Sequence, residues 1–417
     1  MSFQNNIKYL KNKILRKQKS HISHSLQAIA WQRFFKKTQG KVLVGILGFF
    51  VFIAVAGYLI TPDSTPACNE QILEINLQKP FSKITFLKVR RNQSIERHNF
   101  LYIMLFGQES SYTKIPIKKY YFVADSIEVE LFNEVSPYNL ATYHLADVCF
   151  PLSDKHEITK QNEQIEFYTV DGKKQHFPIA NLQKMALQNI DNQVFILGTD
   201  RYGRDILSRM IIGSRVSLSV GFVSVAIALL IGVLLGAVAG YYRGKIDSII
   251  MWFINVVWAI PSLLLAIAIS FVLGSGFWQI FVAIGLTMWV DIARVTRGEF
   301  LSLREKEFVE AAKGLGFRDI TVIFKHILPN ITGTLAVIAA GNFASAILTE
   351  AGLSFLGLGI KPPLPSWGSM IKENYAYIIL DYPYMAIIPA IAIMILVFCF
   401  MLCGNLLRDA MDVKSEK

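Results

Sequence analysis

The chain has 417 residues, of which 53% are hydrophobic and only 18% charged, with a net charge of +11 and a mean hydropathy of +0.40. Soluble domains carry about 25% charged residues, so this balance argues against a soluble enzyme. It also excludes a disordered chain and, with 4 cysteines in all, a disulfide-dense scaffold. The positive charge sits beside apolar runs and is not interleaved with stacking aromatics, which points to membrane topology and away from nucleic acid.

Residues 1–41 hold ten Lys or Arg and no Asp or Glu, ending in Lys36, Lys37 and Lys41. The apolar run 42–60 follows, and its length of about 28 Å as a helix is enough to span a bilayer. A basic cytoplasmic tail (1–41) and an uncleaved signal anchor as the first transmembrane helix (42–60) are expected.

Residues 61–196 are different in kind. The stretch 63–200 carries 17 acidic and 14 basic residues and no apolar run long enough to span. Lys83–Val89, Leu101–Phe106, Tyr120–Phe132 and Ile165–Ile179 are rich in alternating, β-branched and aromatic residues, which predicts strands. Asp171-Gly172 predicts a hairpin with a type I′ turn. A β-rich extracytoplasmic domain is expected here. Cys68 and Cys149 both fall in it. An oxidising compartment permits a disulfide between them, and closing a loop of about 80 residues stabilises by roughly 4 kcal/mol in the chain-entropy picture. Sequence spacing leaves that pairing open.

From 197 to 412 the chain is mostly apolar, with spans predicted near 215–241, 249–273, 277–294, 331–357 and 384–407, then a short cytoplasmic tail at 413–417. Seven Lys or Arg in 294–328, against none in the short connection 274–276, put both termini in the cytoplasm. The fold class is therefore an all-α membrane protein of six transmembrane helices, with a β-rich extracytoplasmic domain inserted after the first.

Gly232, Gly236 and Gly240 make two G-x-x-x-G steps, a pattern for close helix packing. Pro261 lies inside the third span and is expected to kink it, with a hinge role open. Glu350 stands in an apolar stretch and must face protein or water. It is either a counter-charge for a transported amino group or a structural group bonded to nearby hydroxyls. Asp291 and Arg294 are spaced to pair, and Cys399 and Cys403 to pack. No metal cluster, nucleophile elbow or other catalytic constellation is present, and His21, His24, His144 and His156 are scattered.

The most informative segment is cytoplasmic. Ser302-Leu303-Arg304-Glu305 is a capping-box pattern for a helix start. Glu310-Ala311-Ala312-Lys313-Gly314-Leu315-Gly316 follows, with Ala311 and Ala312 as a small-residue face and Gly316 as a helix stop. Asp319 suits a second helix start and Pro329 its end. Such a short helix pair suits docking into a groove on another protein.

This pattern, Glu-Ala-Ala, three residues, Gly, then nine residues to His326-Ile327-Leu328-Pro329-Asn330, resembles the coupling loop of ABC-importer permeases. Leu197-Gly198-Thr199-Asp200-Arg201-Tyr202-Gly203-Arg204-Asp205 and Leu353-Ser354-Phe355-Leu356-Gly357-Leu358-Gly359 with Ser366-Trp367-Gly368 resemble signatures of the dipeptide/oligopeptide C-type subunit. The resemblance covers about half the chain. It implies the type I ABC-importer permease fold in the cell (inner) membrane, working by alternating access. The implied partners are a homologous permease subunit, two ATP-binding cassette ATPase subunits and an extracytoplasmic substrate-binding protein, all beside the lipid bilayer. Glu310, Ala311, Ala312, Gly314, Gly316, Leu328 and Pro329 are the implied ATPase-coupling residues, and Glu350 and Pro261 are candidates for the substrate pathway. No segment fits G-x-x-x-x-G-K-[ST], so no cofactor is expected on this chain, and ATP and Mg would be used by partner subunits. Peptides are the implied cargo. Nickel chelates, another small solute, or ATP-independent secondary transport are the alternatives.

Overall fold

The structure is a computed structural model that describes residues 26–411 apart from 97, 133–139, 154–156, 162 and 275. Most of the basic N-terminal tail, with His21 and His24, lies outside the described residues, as do His156 and the tail 413–417.

Helix α1 (Leu26–Lys36) leads into α2 (Thr38–Ile60), the first long apolar helix. The β-rich region follows: β1 (Ser82–Arg90), α3 (Phe100–Phe106), β2 (Tyr112–Val123), β3 (Ser126–Leu131), β4 (Leu140–His144), α4 (Leu145–Cys149), β5 (Thr159–Gln161), β6 (Gln164–Tyr168), β7 (Lys174–Pro178), α5 (Ile179–Gln188) and β8 (Ile190–Phe195). Antiparallel pairing gives a five-stranded sheet, order β4-β3-β2-β1-β8, and a three-stranded sheet, β5-β6-β7. Strand β1 lies between β2 and β8 and is buried on both faces. Ile84 and Phe86 pack with Ile72, Ile75 and Phe195 on one side, while Leu87 and Val89 join the larger core of Ile117, Ile127, Val129, Leu182 and Ala186 on the other. Strand alternation sends these two sets to opposite faces.

Leu101–Phe106 is a helix, not the expected strand. The Asn99 side chain accepts the Tyr102 N–H at 2.9 Å and caps α3, and leucine and methionine favour helix over strand. Tyr120–Phe132 is two strands rather than one, because the chain turns at Ala124-Asp125 between the paired Val123 and Ser126. The hairpin at Asp171-Gly172 is present, but its turn is not type I′. Only Gly172 has positive φ (74°), and the connection from Thr169 to Lys173 is five residues long.

His144 caps α4, its Nδ1 accepting the Ala146 N–H at 3.2 Å. Burial lowers its pKa below the usual 6.5, against the pull of Asp125 and Asp147 and with the help of Lys160. The neutral ring is thus the native form, and the unfolded chain takes up the proton first. Stability from this site is complete above pH 6.5 and is lost as pH falls through the lowered native value. Amide protection factors at Leu145–Cys149, taken against the intrinsic exchange rate at each pH, should therefore fall between about pH 7 and pH 5, and in a His144→Asn variant, which retains a cap without the titration, they should not.

The remaining helices are α6 (Ile206–Tyr242), α7 (Gly244–Trp258), α8 (Ser262–Leu273), α9 (Phe277–Leu303), α10 (Glu307–Gly314), α11 (Asp319–Phe355), α12 (Trp367–Asn374) and α13 (Tyr384–Met411). Among the described residues, α2, α6, α9, α11 and α13 are each long and apolar enough to cross a membrane, and α7 with α8 make a sixth span if counted together. That pair replaces the expected single helix 249–273: α7 and α8 meet at 90°, with Pro261 at the N-terminus of α8. The missing N–H and the restraint on the residue before proline account for the break. The other helices outrun their apolar stretches. At 37 residues α6 is about 55 Å long, so its ends must leave the hydrocarbon layer.

The bundle centres on α6 against α9. A Cβ placed on Gly232 would lie 2.7 Å from the Trp289 carbonyl oxygen, one on Gly240 2.7 Å from that of Arg297, and one on Gly236 would collide with that of Ala293. The two backbones touch along three turns, which only glycine permits here. Arg294 does not pair with Asp291. It donates to Asn255 Oδ1 at 2.7 Å and lies 4.0 Å from the Trp258 ring centroid, tying α9 to α7.

Cys68 and Cys149 are free and lie in separate cores, so the disulfide is absent. The Cys68 thiol donates to the Asp63 carbonyl at 2.9 Å, beside Tyr58 and Ile212, and that of Cys149 donates to the Leu182 carbonyl at 3.6 Å. Burial raises both thiol pKa values, Cys149 to about 11, which keeps them protonated and unreactive.

Candidate functional site

The end of the bundle opposite the β-rich region carries the 302–330 segment. Its first helix does not begin at Ser302, since α9 runs through Leu303 and α10 starts at Glu307 after an extended Lys306. The apolar continuity of Phe300 and Leu303 with the core outweighs the local capping pattern. Val309 and Ala312 face inward onto Ala237, Tyr241, Phe300, Val322, Ile323 and Ile327. Glu310, Ala311 and Gly314 face solvent. Ala311 and Ala312 therefore do not form one face, because neighbours on a helix diverge by about 100°.

Beyond α10, Gly316 adopts φ of +78° and turns the chain. Leu315, Phe317, Ile320 and Phe324 are then exposed, at 78%, 46%, 68% and 52%, and Phe308 adds to the same end. A Cβ on Gly314 or Gly316 would meet nothing within 4 Å. Gly316 is required by its backbone angle, whereas nothing within this chain requires a glycine at 314. Helix α11 begins at Asp319 and passes through a widened π-helical segment, Val322–Ile327, into the long span. Pro329 does not end a helix; it lies in the first turn after that segment. A proline lacks the N–H that closes on residue i−4 and crowds that carbonyl, and the widened turn relieves both. Leu328 is half-buried against the same cluster as Val309, while Pro329 is exposed.

Polar contacts fasten this end to the spans. Tyr241 on α6 donates to Asp319 Oδ1 at 2.5 Å, with Lys313 Nζ 4.8 Å from the centre of its ring. Arg297 grips Asp247 through two bonds of 2.5 and 2.6 Å. Arg243 reaches the Leu301 carbonyl and Glu305. A push on α10 or the start of α11 thus bears on α6 directly. Nothing in the local sequence announces Tyr241, whose partner is 78 residues away.

At the other end, the 198–205 loop is strapped to the 69–78 linker. Thr199 Oγ1 donates to the Ile75 carbonyl at 2.5 Å, and Gly203, with φ of +71°, passes so close to the Ile72 carbonyl that a Cβ would collide with it. Asp200 binds Arg204 at 2.7 Å and Arg209 at 3.0 Å. Glu373 binds the same two at 2.8 and 3.2 Å, and both arginine side chains are only 3% exposed. Removing Glu373 leaves two buried guanidinium groups sharing one carboxylate. We expect Glu373→Ala to cost about 3–5 kcal/mol, read as a fall in melting temperature in detergent. This network borders a cavity of about 1050 Å³ lined also by Arg201, Lys361, Lys372 and Tyr377. Ser354 lies on its wall. Glu350 lies behind, fully buried, accepting from Ser354 Oγ at 2.7 Å through one oxygen while the other has no partner. Pro261 is exposed and does not line this cavity.

Residues 232–414 match the family described as "Binding-protein-dependent transport system inner membrane component". Over 220 residues, 53% of this chain and 73% of the relative, the sequence is 42% identical to the glutathione transport system permease protein GsiD of Pectobacterium atrosepticum. The chain belongs to this family of inner membrane transport components. It is also 40% identical over 220 residues to the oligopeptide permease protein OppC of Bacillus subtilis, covering 53% of this chain and 72% of that one. A methionine ABC transporter solved in inward-facing form overlays 49% of this permease and 97% of that chain at 18% identity and a TM-score of 0.42. The family match takes in α10, α11 and the exposed apolar rim of this permease, while the β-rich region lies outside residues 232–414.

Proposed function

We propose that this permease carries peptides inward through the cytoplasmic membrane, driven by separate ATPase subunits docked over residues 302–320. The observation that carries the reading is the 40–42% identity to permeases named for glutathione and oligopeptides. It is supported by the solvent-facing surface of Glu310, Ala311, Gly314 and the exposed apolar rim on α10 and α11. In this scheme the chain binds no cofactor and hydrolyses nothing. ATP and Mg²⁺ belong to the ATPases, whose closure pushes α10, and the Tyr241–Asp319 and Lys313 contacts pass the movement to α6. A homologous permease or a second copy completes the pathway, and a substrate-binding protein delivers cargo to the face carrying the β-rich region. The basic tail and the Lys- and Arg-rich 294–328 connection support a topology with both termini in the cytoplasm. Glu310, Ala311, Gly314, Gly316 and Pro329 present the coupling surface, Ala312 and Leu328 seat it on the apolar cluster beneath, and Glu350 supports the wall of the cavity from behind.

The test is purification from membranes in mild detergent, with mass spectrometry of what accompanies the chain, beside uptake of a labelled peptide into cells. A second permease and ATPases should accompany the chain, and uptake should require ATP and be competed by peptides but not by a nickel chelate. A chain that purifies alone under several mild conditions, or uptake that follows a proton or sodium gradient, overturns the reading. Deleting the β-rich region should abolish stimulation of ATPase activity by the binding protein; full stimulation without it removes that region from docking.

A further inference from the structure

Helix α3 consists of Phe100, Leu101, Tyr102, Ile103, Met104, Leu105 and Phe106. It contains no charge and none of its residues is buried, with Phe100, Leu101 and Phe106 exposed at 63%, 61% and 57%. Seven residues are too few for a helix to persist in water on propensity alone, so its position must be held from outside.

Arg215 of α6 holds it. Its guanidinium donates to the Ala54 and Val55 carbonyls of α2 at 2.7 and 3.1 Å, and to the Leu105 and Met104 carbonyls of α3 at 2.5 and 3.1 Å. One planar group thus joins both helices. The carbonyls it takes from α3 are among those a helix end leaves unpaired, and its charge suits that end of the dipole.

These bonds also set the height of α3. Ala54 and Val55 precede the end of the α2 apolar run at Ile60 by five or six residues, about 8 Å along a helix. From the other side, Ser208 Oγ accepts the Asp63 N–H at 3.0 Å, and Arg215 is seven residues, about 10 Å, further along α6. Both measures set the guanidinium beside apolar turns of α2, not above them. Phe52, Val55 and Leu59 of α2 are themselves exposed there, so α3 extends the surface that α2 presents to lipid.

We propose that α3 is seated in the bilayer leaflet on the side of the β-rich region, as an interfacial anchor whose Phe and Leu side chains lie among acyl chains. Tyr102, whose ring is tilted against that of His98 at 4.0 Å between centroids, sits at headgroup level, where aromatic rings with a polar edge are favoured. The occupant of this apolar face is lipid. With α2 as one tether and α3 as a second, the β-rich region is held at a set orientation above the membrane. The proposal rests on α2 being a membrane span and is independent of what is transported.

The experiment uses nanodiscs of phosphatidylcholine and phosphatidylglycerol carrying a diazirine in one acyl chain, with adducts mapped by mass spectrometry after irradiation. The full chain is labelled alone, and again in membrane vesicles from expressing cells, where partner chains are present. Residues 99–107 should carry adducts in both preparations at a yield comparable with 49–60. Phe81 and Leu140, equally apolar and 73% and 60% exposed in the β-rich region, should carry none. A Leu101→Glu variant should lose the adducts on 99–107 and retain those on 49–60. Absence of adducts on 99–107 in the chain alone overturns the proposal, as does their persistence in the Leu101→Glu variant. Adducts that appear in the chain alone and vanish in vesicles also overturn it and assign the face to a protein partner.

Discussion

Replacing Gly236 with alanine is expected to separate α6 from α9 and to destabilise the bundle by about 2 kcal/mol or more. The added methyl group runs into the Ala293 carbonyl and lies 2.7 Å from Thr296 Cβ and 3.0 Å from the Arg297 backbone nitrogen. Backbone atoms cannot rotate away as a side-chain tip does, so the upper part of the overpacking range of about 1–3 kcal/mol applies. Helix propensity works the other way, favouring alanine by about 1 kcal/mol, and is outweighed. Gly236→Leu should prevent the packing altogether and abolish recovery of folded protein. The control is Gly48→Ala in α2, where a Cβ meets nothing within 4 Å and only propensity acts; it should be neutral or slightly stabilising. Melting temperatures in detergent and size-exclusion profiles check both. Equal behaviour of Gly236→Ala and Gly48→Ala would mean that the α6–α9 contact does not support the fold.

The second large effect lies on the exposed surface of α10 and leaves the stability of the chain unchanged. Gly314→Trp points into open space and Glu310→Arg alters an exposed side chain, so neither should change the melting temperature of the isolated chain. Both alter the surface proposed for the ATPase. Overpacking a close-fitting contact with a bulky ring costs about 1–3 kcal/mol, and about 2 kcal/mol already means roughly thirtyfold weaker binding. The expected result is a chain of normal stability that loses its ATPase subunits on purification and its ATP-driven uptake. If Gly314→Trp retains the ATPases and full uptake, the docking surface lies elsewhere.

Much of the permease was legible in the residues because its signals are local. The runs 42–60, 215–241, 277–294 and 384–407 each lie within a helix, and 331–357 overruns its helix end at Phe355 by two residues, since long apolar runs leave a membrane helix as the simplest way to satisfy the backbone. Lys83–Val89 reads as a strand because its β-branched and aromatic residues fit a pleated surface, and the adjacent Phe86 and Leu87 break the alternation because the strand is buried on both faces. Readings failed where a local pattern had to compete with packing. The 302–305 pattern lost to the continued burial of Phe300 and Leu303 in α9, and Leu101–Phe106 took up a helix because Asn99 capped it and Arg215 gripped its far end. Cys68 and Cys149 shared a region but not a core.

The sequence by itself determined the membrane class, the segments that span, the family and the residues 310–316 as a surface worth testing. Each follows from composition or from spacing along a few turns, within which a side chain's neighbours are set by helix or strand geometry. Only the tertiary structure decided that Ala312 packs inward while Ala311 faces out. It alone showed that Tyr241 clasps Asp319, that Glu373 completes the charge network of Asp200, Arg204 and Arg209, and that Arg215 joins α2 to α3. The contacts of Tyr241 with Asp319, of Glu373 with Arg204 and of Arg215 with α3 join residues 78 to 169 positions apart. At such separations no periodicity connects them, and which groups meet depends on how the whole set of helices and sheets closes around its apolar faces.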